Sequence, residues 1–376
     1  MHSTRILGRG IAALTALTAV VAGPAYAATT DSFVQSGSTR TAGTVTANAN
    51  ANANANANAD AAAADAAADA AAAEQAGRPG RDCTVPTGTS QVDVELDGAA
   101  YAVRVHVPDV GQAGRGDALP MVLKLHPSNG NAESISAYND LDLTADTEGF
   151  ITVAPNGAIP VADPNPDQVW FWNVPGVPTT AGEYPPPGTR DDVAFLTAVI
   201  DTMVGLGCAD PHRVYATGHS GGARMASAYA CARPDKVAAI APVAGLRAGR
   251  PSPDDPSAVE LQSCAPSRSV PVITFHGDAD TVNPYQGNAD KRWGYTTQLA
   301  VQSWARMNGC QAGPSVEPVT EHVTTETYTT CRGGADVVLY KVAGGTHSWP
   351  GGNDDTATQE VSATELIWEF FTHYRR

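Results

Sequence analysis

Arg213-Val214-Tyr215-Ala216-Thr217-Gly218-His219-Ser220-Gly221-Gly222-Ala223 joins a β-rich run to the first residue of a helical pattern, with a serine flanked by glycines between them. Arg213 to Thr217 reads as a buried strand and Ala223 to Ala232 as a helix. In a chain with 36 Gly, a lone G-x-S-x-G pattern is a weak signal, and an ordinary glycine-rich turn is the bland alternative. Set between a strand and a helix, the pattern describes a sharp elbow that lifts the serine side chain out of a sheet. Small neighbours let strand and helix approach, and the helix N-terminus favours developing negative charge.

Working outward from the elbow, β-rich runs fall at 91–97, 100–108, 120–126, 150–155, 213–218, 236–243, 270–276 and 336–343. Helical patterns lie between the later ones, near 222–232, 296–308 and 364–374, and most clearly over 192–206. There Val193, Leu196, Ile200 and Met203 recur at helical spacing behind Asp191 and Asp192, which suit a helix start. Strand and helix in repeated alternation predict an α/β fold: a mainly parallel central sheet with helices on both faces, led in by an antiparallel hairpin at 91–108. One domain over 81–376 accommodates all of it.

An activated serine needs a base, and in this fold the chain order runs serine, acid, histidine. His347 sits in Gly344-Gly345-Thr346-His347-Ser348-Trp349-Pro350-Gly351-Gly352, just beyond the last β-rich run, where a loop at the carboxyl edge of the sheet can aim an imidazole at the elbow. His322, in a Thr-rich stretch, and His373, near the end of a helical pattern, read as solvent-facing. His219 adjoins the serine too closely to act as its base and reads as a wall of the site. For the acid, His276-Gly277-Asp278-Ala279-Asp280 offers two carboxylates; Asp280 is favoured, with Asp278 as a turn or capping residue. An oxyanion needs two backbone donors: Gly221, after the nucleophile, and one from Leu125-His126-Pro127-Ser128-Asn129-Gly130-Asn131-Ala132. Pro127 has no N–H, which points to Ser128 ahead of Asn129.

The rest of the 376 residues bounds the setting. Lys and Arg number 23 against 39 Asp and Glu, a formal charge of -16, so a phosphate backbone or an anionic membrane is repelled and nucleic acid is excluded as a natural partner. Residues 1–27 have the layout of a secretory signal peptide: Arg5 and Arg9, an uncharged run from Gly10 to Gly23, then Pro24-Ala25-Tyr26-Ala27. Residues 28–80, with their Ala-Asn alternation, hold almost nothing to bury and read as a disordered spacer. Six cysteines in an oxidising compartment argue for three disulfides, with fifteen pairings open. Close C-x-x-C pairs with matching histidines are missing, so a metal site is not expected.

Taken together, these residues resemble the secreted α/β-hydrolases of the poly(3-hydroxybutyrate) depolymerase and feruloyl esterase family, near carbohydrate esterase family 1. The likeness runs from Cys83 to the C-terminus. It is carried by Leu125 to Ala132, Asp191 to Leu196, Arg213 to Gly222, Ala241 to Gly245, His276 to Asp280 and Gly345 to Gly352. The resemblance implies Ser220 as nucleophile, Asp280 as acid and His347 as base. It also implies pairing of Cys231 with Cys264 and of Cys310 with Cys331, leaving Cys83 for Cys208. The chain departs from the family in having His126-Pro127 where relatives show His-Gly, and His219-Ser220-Gly221 where many show Leu-Ser-Asn or Leu-Ser-Ala.

The expectation is a secreted serine esterase that needs no cofactor or metal, and whose partner is an ester: a small ester, an oligomer or an esterified polysaccharide such as feruloylated xylan. Trp170, Trp172, Tyr285 and Trp349, with His219, are candidates for lining an acyl or alcohol pocket. A short-chain polyhydroxyalkanoate or acetylxylan esterase is the rival enzyme, and a catalytically silent wall-binding protein the rival of another class. Insoluble polyester is disfavoured as the main substrate, because no polymer-binding module follows the triad.

Overall fold

The chain folds around a ten-stranded sheet built by alternation: in the run Met121-Val122-Leu123, Met121 and Leu123 join the core on one face of the sheet while Val122 joins the core on the other. The computed structural model describes residues 83–109, 118–161 and 168–376. The expected signal peptide, 1–27, and spacer, 28–80, lie outside the described residues.

In chain order the strands are β1 (Gly88–Leu96), β2 (Ala99–Val107), β3 (Leu119–Leu125), β4 (Ile151–Ala154), β5 (Ile159–Pro160), β6 (Trp170–Phe171), β7 (Ala209–His219), β8 (Ala239–Val243), β9 (Val272–Gly277), β10 (Ala312–Pro318), β11 (Val323–Thr329) and β12 (Val337–Val342). The helices are α1 (Ala132–Tyr138), α2 (Leu141–Glu148), α3 (Asp192–Gly205), α4 (Gly221–Ala232), α5 (Thr297–Met307) and α6 (Ala363–Thr372). The large sheet has the order β1-β2-β4-β3-β7-β8-β9-β12-β11-β10, and β5 pairs with β6 in a small separate sheet. From β4 to β12 the neighbours are parallel; an antiparallel hairpin closes each edge. The leading hairpin and the parallel centre match the sequence expectation. The β10–β11 hairpin and helices α1 and α2 are additional.

Each face of the sheet carries its own core. On one side Phe195, Leu196 and Met203 of α3, Met225 and Tyr229 of α4 and Val301 and Trp304 of α5 pack over Leu123, Val214 and Val272. On the other, Leu141 and Ala145 of α2 and Ile367, Trp368 and Phe371 of α6 cover Val122, Tyr215 and Ile273. Asp191 caps α3 with its side chain, accepting from the N–H groups of Val193 and Ala194, as the paired acids suggested. Three disulfides join Cys83 to Cys208, Cys231 to Cys264 and Cys310 to Cys331, and among the described residues no cysteine is free.

Strand order reverses between β3 and β7: from β3 the chain proceeds to β4 on one side, then to β7 and onward on the other. In open parallel sheets the crevice at the carboxyl ends of the strands, at such a reversal, is where ligands bind.

Candidate active site

Four chain segments leave the carboxyl ends of parallel strands and meet at this edge. Ser220 follows β7 directly, Ser128 lies just past β3, Asp280 just past β9 and His347 just past β12. Ser220 has φ 55° and ψ −113°, a left-handed conformation that costs a non-glycine residue roughly 1–3 kcal/mol and persists only where the surroundings impose it. Here they do: the Ser220 N–H donates to the Val243 carbonyl at 2.9 Å, and its own carbonyl accepts the Arg224 N–H at 3.0 Å to start α4. The glycines serve close approach. A Cβ on Gly222 would stand 2.0 Å from the Leu125 carbonyl oxygen, and one on Gly221 would meet Ser128 Oγ at 2.2 Å. No side chain fits there without driving the β3 loop away from the elbow.

The His347 Nδ1–H donates to Asp280 Oδ2 at 2.6 Å, which leaves Nε2 unprotonated and able to accept a proton. Asp280 is 4% exposed and firmly held: its Oδ1 accepts the N–H groups of Val282 and Asn283, both at 2.8 Å, and His276 Nε2 stands 3.3 Å from Oδ2. Burial by itself would raise the Asp280 pKa, but the hydrogen bonds from His276 and His347 outweigh it and keep the carboxyl well below the usual range. Asp278 points elsewhere, accepting the Gly344 N–H at 2.7 Å with Lys341 at 3.4 Å. Among the described residues Ser220 Oγ makes no hydrogen bond, so serine and imidazole share the edge unpaired. In enzymes without substrate such contacts are often long and tighten when the ester binds.

His219 packs against His347. Its ring stacks on His347 with centroids 4.9 Å apart, and its Nδ1 lies 3.0 Å from the Tyr138 hydroxyl. Burial, reinforced by the neighbouring His347, lowers the His219 pKa to about 3 and keeps the ring neutral. His322 and His373 are remote from this edge: the first is ion-paired to Glu360 at 2.5 Å, the second bonds the Glu369 carbonyl at 2.8 Å, and both are exposed.

The β3 loop separates the two candidate oxyanion donors. The Asn129 N–H is spent on the Trp170 carbonyl at 3.0 Å, whereas the Ser128 backbone nitrogen stands 3.0 Å from where a Gly221 Cβ would be. Among the described residues the Gly221 and Ser128 amides, which adjoin, are given no hydrogen-bond acceptor. Beneath them lies His126, fully buried: Nδ1–H donates to the Pro127 carbonyl at 2.8 Å and Nε2 accepts the Gly157 N–H at 3.0 Å. Asp192, also fully buried, accepts the Ala158 and Asn173 N–H groups and both Nε and Nη2 of Arg190, tying down the loops on either side of Gly157 and Trp172. Sequence reasoning read Asp192 only as a helix-start acid. It also assigned no part to His276, Asn283 or Tyr138, although His276 belongs to the same H-G-D-A-D motif as the acid.

The aromatic residues expected to line a pocket mostly stand behind the site. Trp172 is 3% exposed, stacks on His126 at 4.7 Å and donates its indole N–H to the His126 carbonyl at 2.8 Å, which makes it a buttress for the loop after β3. Trp349 is 1% exposed and bonds Thr364, and Tyr285 is 5% exposed and lies edge-on to His276. All three are buried at least as deeply as Ser220, which is 5% exposed. Trp170 is half-buried, and its backbone pairs with Asn129 and Gly130 of that loop. Among the described residues no cluster of His, Cys, Asp or Glu is arranged to hold a metal ion.

The buried neutral imidazoles set an acid limit on stability. Burial lowers His126 from its ordinary 6.5 to about 4, with the bond to the Pro127 carbonyl opposing the shift. The unfolded chain binds this proton from pH 6.5 downward and the folded protein does not, so the stability present above 6.5 is lost as pH falls towards 4. At about 1.4 kcal/mol per unit, His126 contributes on the order of 3 kcal/mol to that loss. His126→Gln, whose amide oxygen can still accept the Gly157 N–H, is expected to unfold with a visibly flatter pH dependence between 6.5 and 4. Chemical denaturation at a series of pH values checks this, and an unchanged slope contradicts it.

Known esterases resemble this chain in sequence and in fold. No family model matches the chain. NocK of Nocardia uniformis subsp. tsuyamanensis, a protein named as an esterase, is 30% identical over 306 residues, covering 77% of this chain and 80% of NocK. Feruloyl esterase B of Piromyces equi is 29% identical over 238 residues, 61% of this chain and 40% of that protein. Feruloyl esterase D of Neurospora crassa is 31% identical over 192 residues, 49% of this chain and 56% of that protein. The chain thus spans about half of each feruloyl esterase or less. An acetyl xylan esterase from Aspergillus awamori shares the fold, with a TM-score of 0.52 at 16% identity, over 76% of this chain and 99% of that one. The fold and the relatives define a hydrolase of carboxylic esters. The chain belongs to the same esterase family as NocK and has the α/β-hydrolase fold.

Proposed function

We propose that this ester hydrolase works through Ser220 as nucleophile, His347 as base and Asp280 as its orienting acid, and that it is secreted and acts on feruloyl-type aryl esters. The observation that carries the mechanism is the 2.6 Å bond from His347 to Asp280 at the strand edge that also bears the strained Ser220. As Ser220 Oγ bonds to the ester carbonyl carbon, its proton passes to His347 Nε2 and the carbonyl oxygen becomes an oxyanion facing the Gly221 and Ser128 amides. Collapse breaks the bond to the alcohol oxygen, which takes the proton from His347. Water then repeats the cycle on the acyl-enzyme and releases the acid. The negative charge of Asp280 stabilises the imidazolium in both halves.

Two features support the finer parts of the reading. Three disulfides suit an oxidising, extracellular setting, as does the signal-like layout of residues 1–27. The names of two relatives point to feruloyl esters. Rates on methyl ferulate, acetylated xylan and a 3-hydroxybutyrate oligomer, measured side by side, test the substrate. We expect kcat/KM to be highest on methyl ferulate by about tenfold or more, a gap a fitted aryl pocket can supply. A higher value on the oligomer or on acetylated xylan contradicts the feruloyl assignment and leaves the triad intact.

A further inference from the structure

A cavity of about 300 Å³ opens beside α4, starting one helical turn from the nucleophile. Arg224, Ala228, Cys231 and Ala232 line it from a single face of that helix. In a chain with a formal charge of -16, four arginines border this cavity and no Asp or Glu does. Two of the four are already neutralised: Arg250 is ion-paired with Glu260, and Arg292 with Asp290. Arg224 and Arg247 are not. Both are more than nine-tenths buried, and among the described residues neither has a carboxylate within ion-pairing distance.

What holds these two guanidinium groups is weak for buried charges. Arg224 has one hydrogen bond, from Nη2 to the Pro178 carbonyl at 3.0 Å, and lies 5.0 Å from the Trp293 ring centroid. Arg247 donates Nη1 to the Leu246 carbonyl and Nη2 to Asn283 Oδ1, at 2.8 and 2.6 Å, while its Nε is buried with no partner. Burial, and next the charge of Arg247, press the Arg224 pKa down to about 9. Buried charges and unpaired buried N–H groups are costly, and two like charges side by side add to the cost. A planar carboxylate meets a guanidinium fork through two parallel hydrogen bonds, the geometry arginine is suited to. Apart from Gln262 and Ser263 the remaining wall is largely apolar, with Val174, Val177, Ala228 and Pro251, and suits the body of an organic acid better than a small hydrated ion.

We infer that this cavity is a carboxylate-binding site, separate from the serine, in which an organic acid with an apolar body bridges Arg224 and Arg247. It adjoins the acid turn, because the Asn283 side chain that accepts from Arg247 belongs to the residue whose N–H holds Asp280. The inference does not depend on the role of Ser220, since binding is read without turnover.

Calorimetric titration and thermal unfolding of the full chain with sodium benzoate, sodium acetate and inorganic phosphate test it. Benzoate is expected to bind, to raise the melting temperature, and to do both more strongly than acetate or phosphate. Arg224→Gln removes one guanidinium, and Ala228→Leu fills the cavity without altering charge. Each is expected to weaken benzoate at least tenfold, and the melting temperature without ligand reports whether the variant folds. No benzoate binding to the parent protein, or undiminished binding in a folded Ala228→Leu variant, overturns the inference. Phosphate binding as tightly as benzoate also overturns it, since the site would then select charge alone.

Discussion

Ser220→Ala is expected to lower kcat on p-nitrophenyl acetate by about a millionfold, and His347→Ala to do the same, because under the proposed mechanism nucleophile and base work as one unit. The double variant is no worse than either single one, for the same reason. Residual turnover comes from the Gly221 and Ser128 amides and from binding alone. Alanine at 220 must still adopt φ 55°, so each variant's melting temperature is measured beside its kinetics. Turnover within tenfold of the parent protein in a folded variant contradicts the assignment of that residue.

Asp280→Asn is expected to cost about 10⁴ in kcat while leaving the fold in place, since the substitution is isosteric and would act through the tautomer of the proposed base. Oδ1 of Asp280 accepts two backbone N–H groups and Oδ2 accepts the His347 Nδ1–H. An asparagine keeps its oxygen toward the two amides and turns its NH₂ group toward His347. Nδ1 must then accept, the ring proton moves to Nε2, and the base can no longer take a proton from Ser220. Asp278→Asn provides the contrast. That carboxylate serves the Gly344 N–H and Lys341, so the variant keeps turnover within about tenfold, as expected for a change remote from the reacting groups. Equal losses at 278 and 280 contradict the division of labour between them.

The elbow and the parallel strands are legible in the sequence because local pattern and tertiary role agree there. Val214, Tyr215 and Ala216 alternate between the two cores, and Gly218, Gly221 and Gly222 stand where a Cβ has no room. The β10–β11 hairpin is not legible. Residues of β10 are exposed along its whole length, so no inward face marks it in the sequence. Helices α1 and α2 are short and bury two residues each, too few to show a period. The depth of the aromatic residues is illegible for a different reason. Position beside a motif says nothing about depth, and Trp172 and Trp349 turn inward because their indole N–H groups find partners in the His126 carbonyl and Thr364. Arg224 and Arg247 illustrate the same limit from the polar side. Arg224 lies in a helix and Arg247 in a loop, and nothing local to either marks it as buried.

The most direct test of the account is where an acyl-mimicking electrophile attaches. Native protein treated with a fluorophosphonate should gain one adduct per chain, found by peptide mass spectrometry on Ser220, and protein denatured beforehand or carrying His347→Ala should gain almost none. An adduct on another residue, or labelling of Ser220 that proceeds equally well without His347, would contradict it.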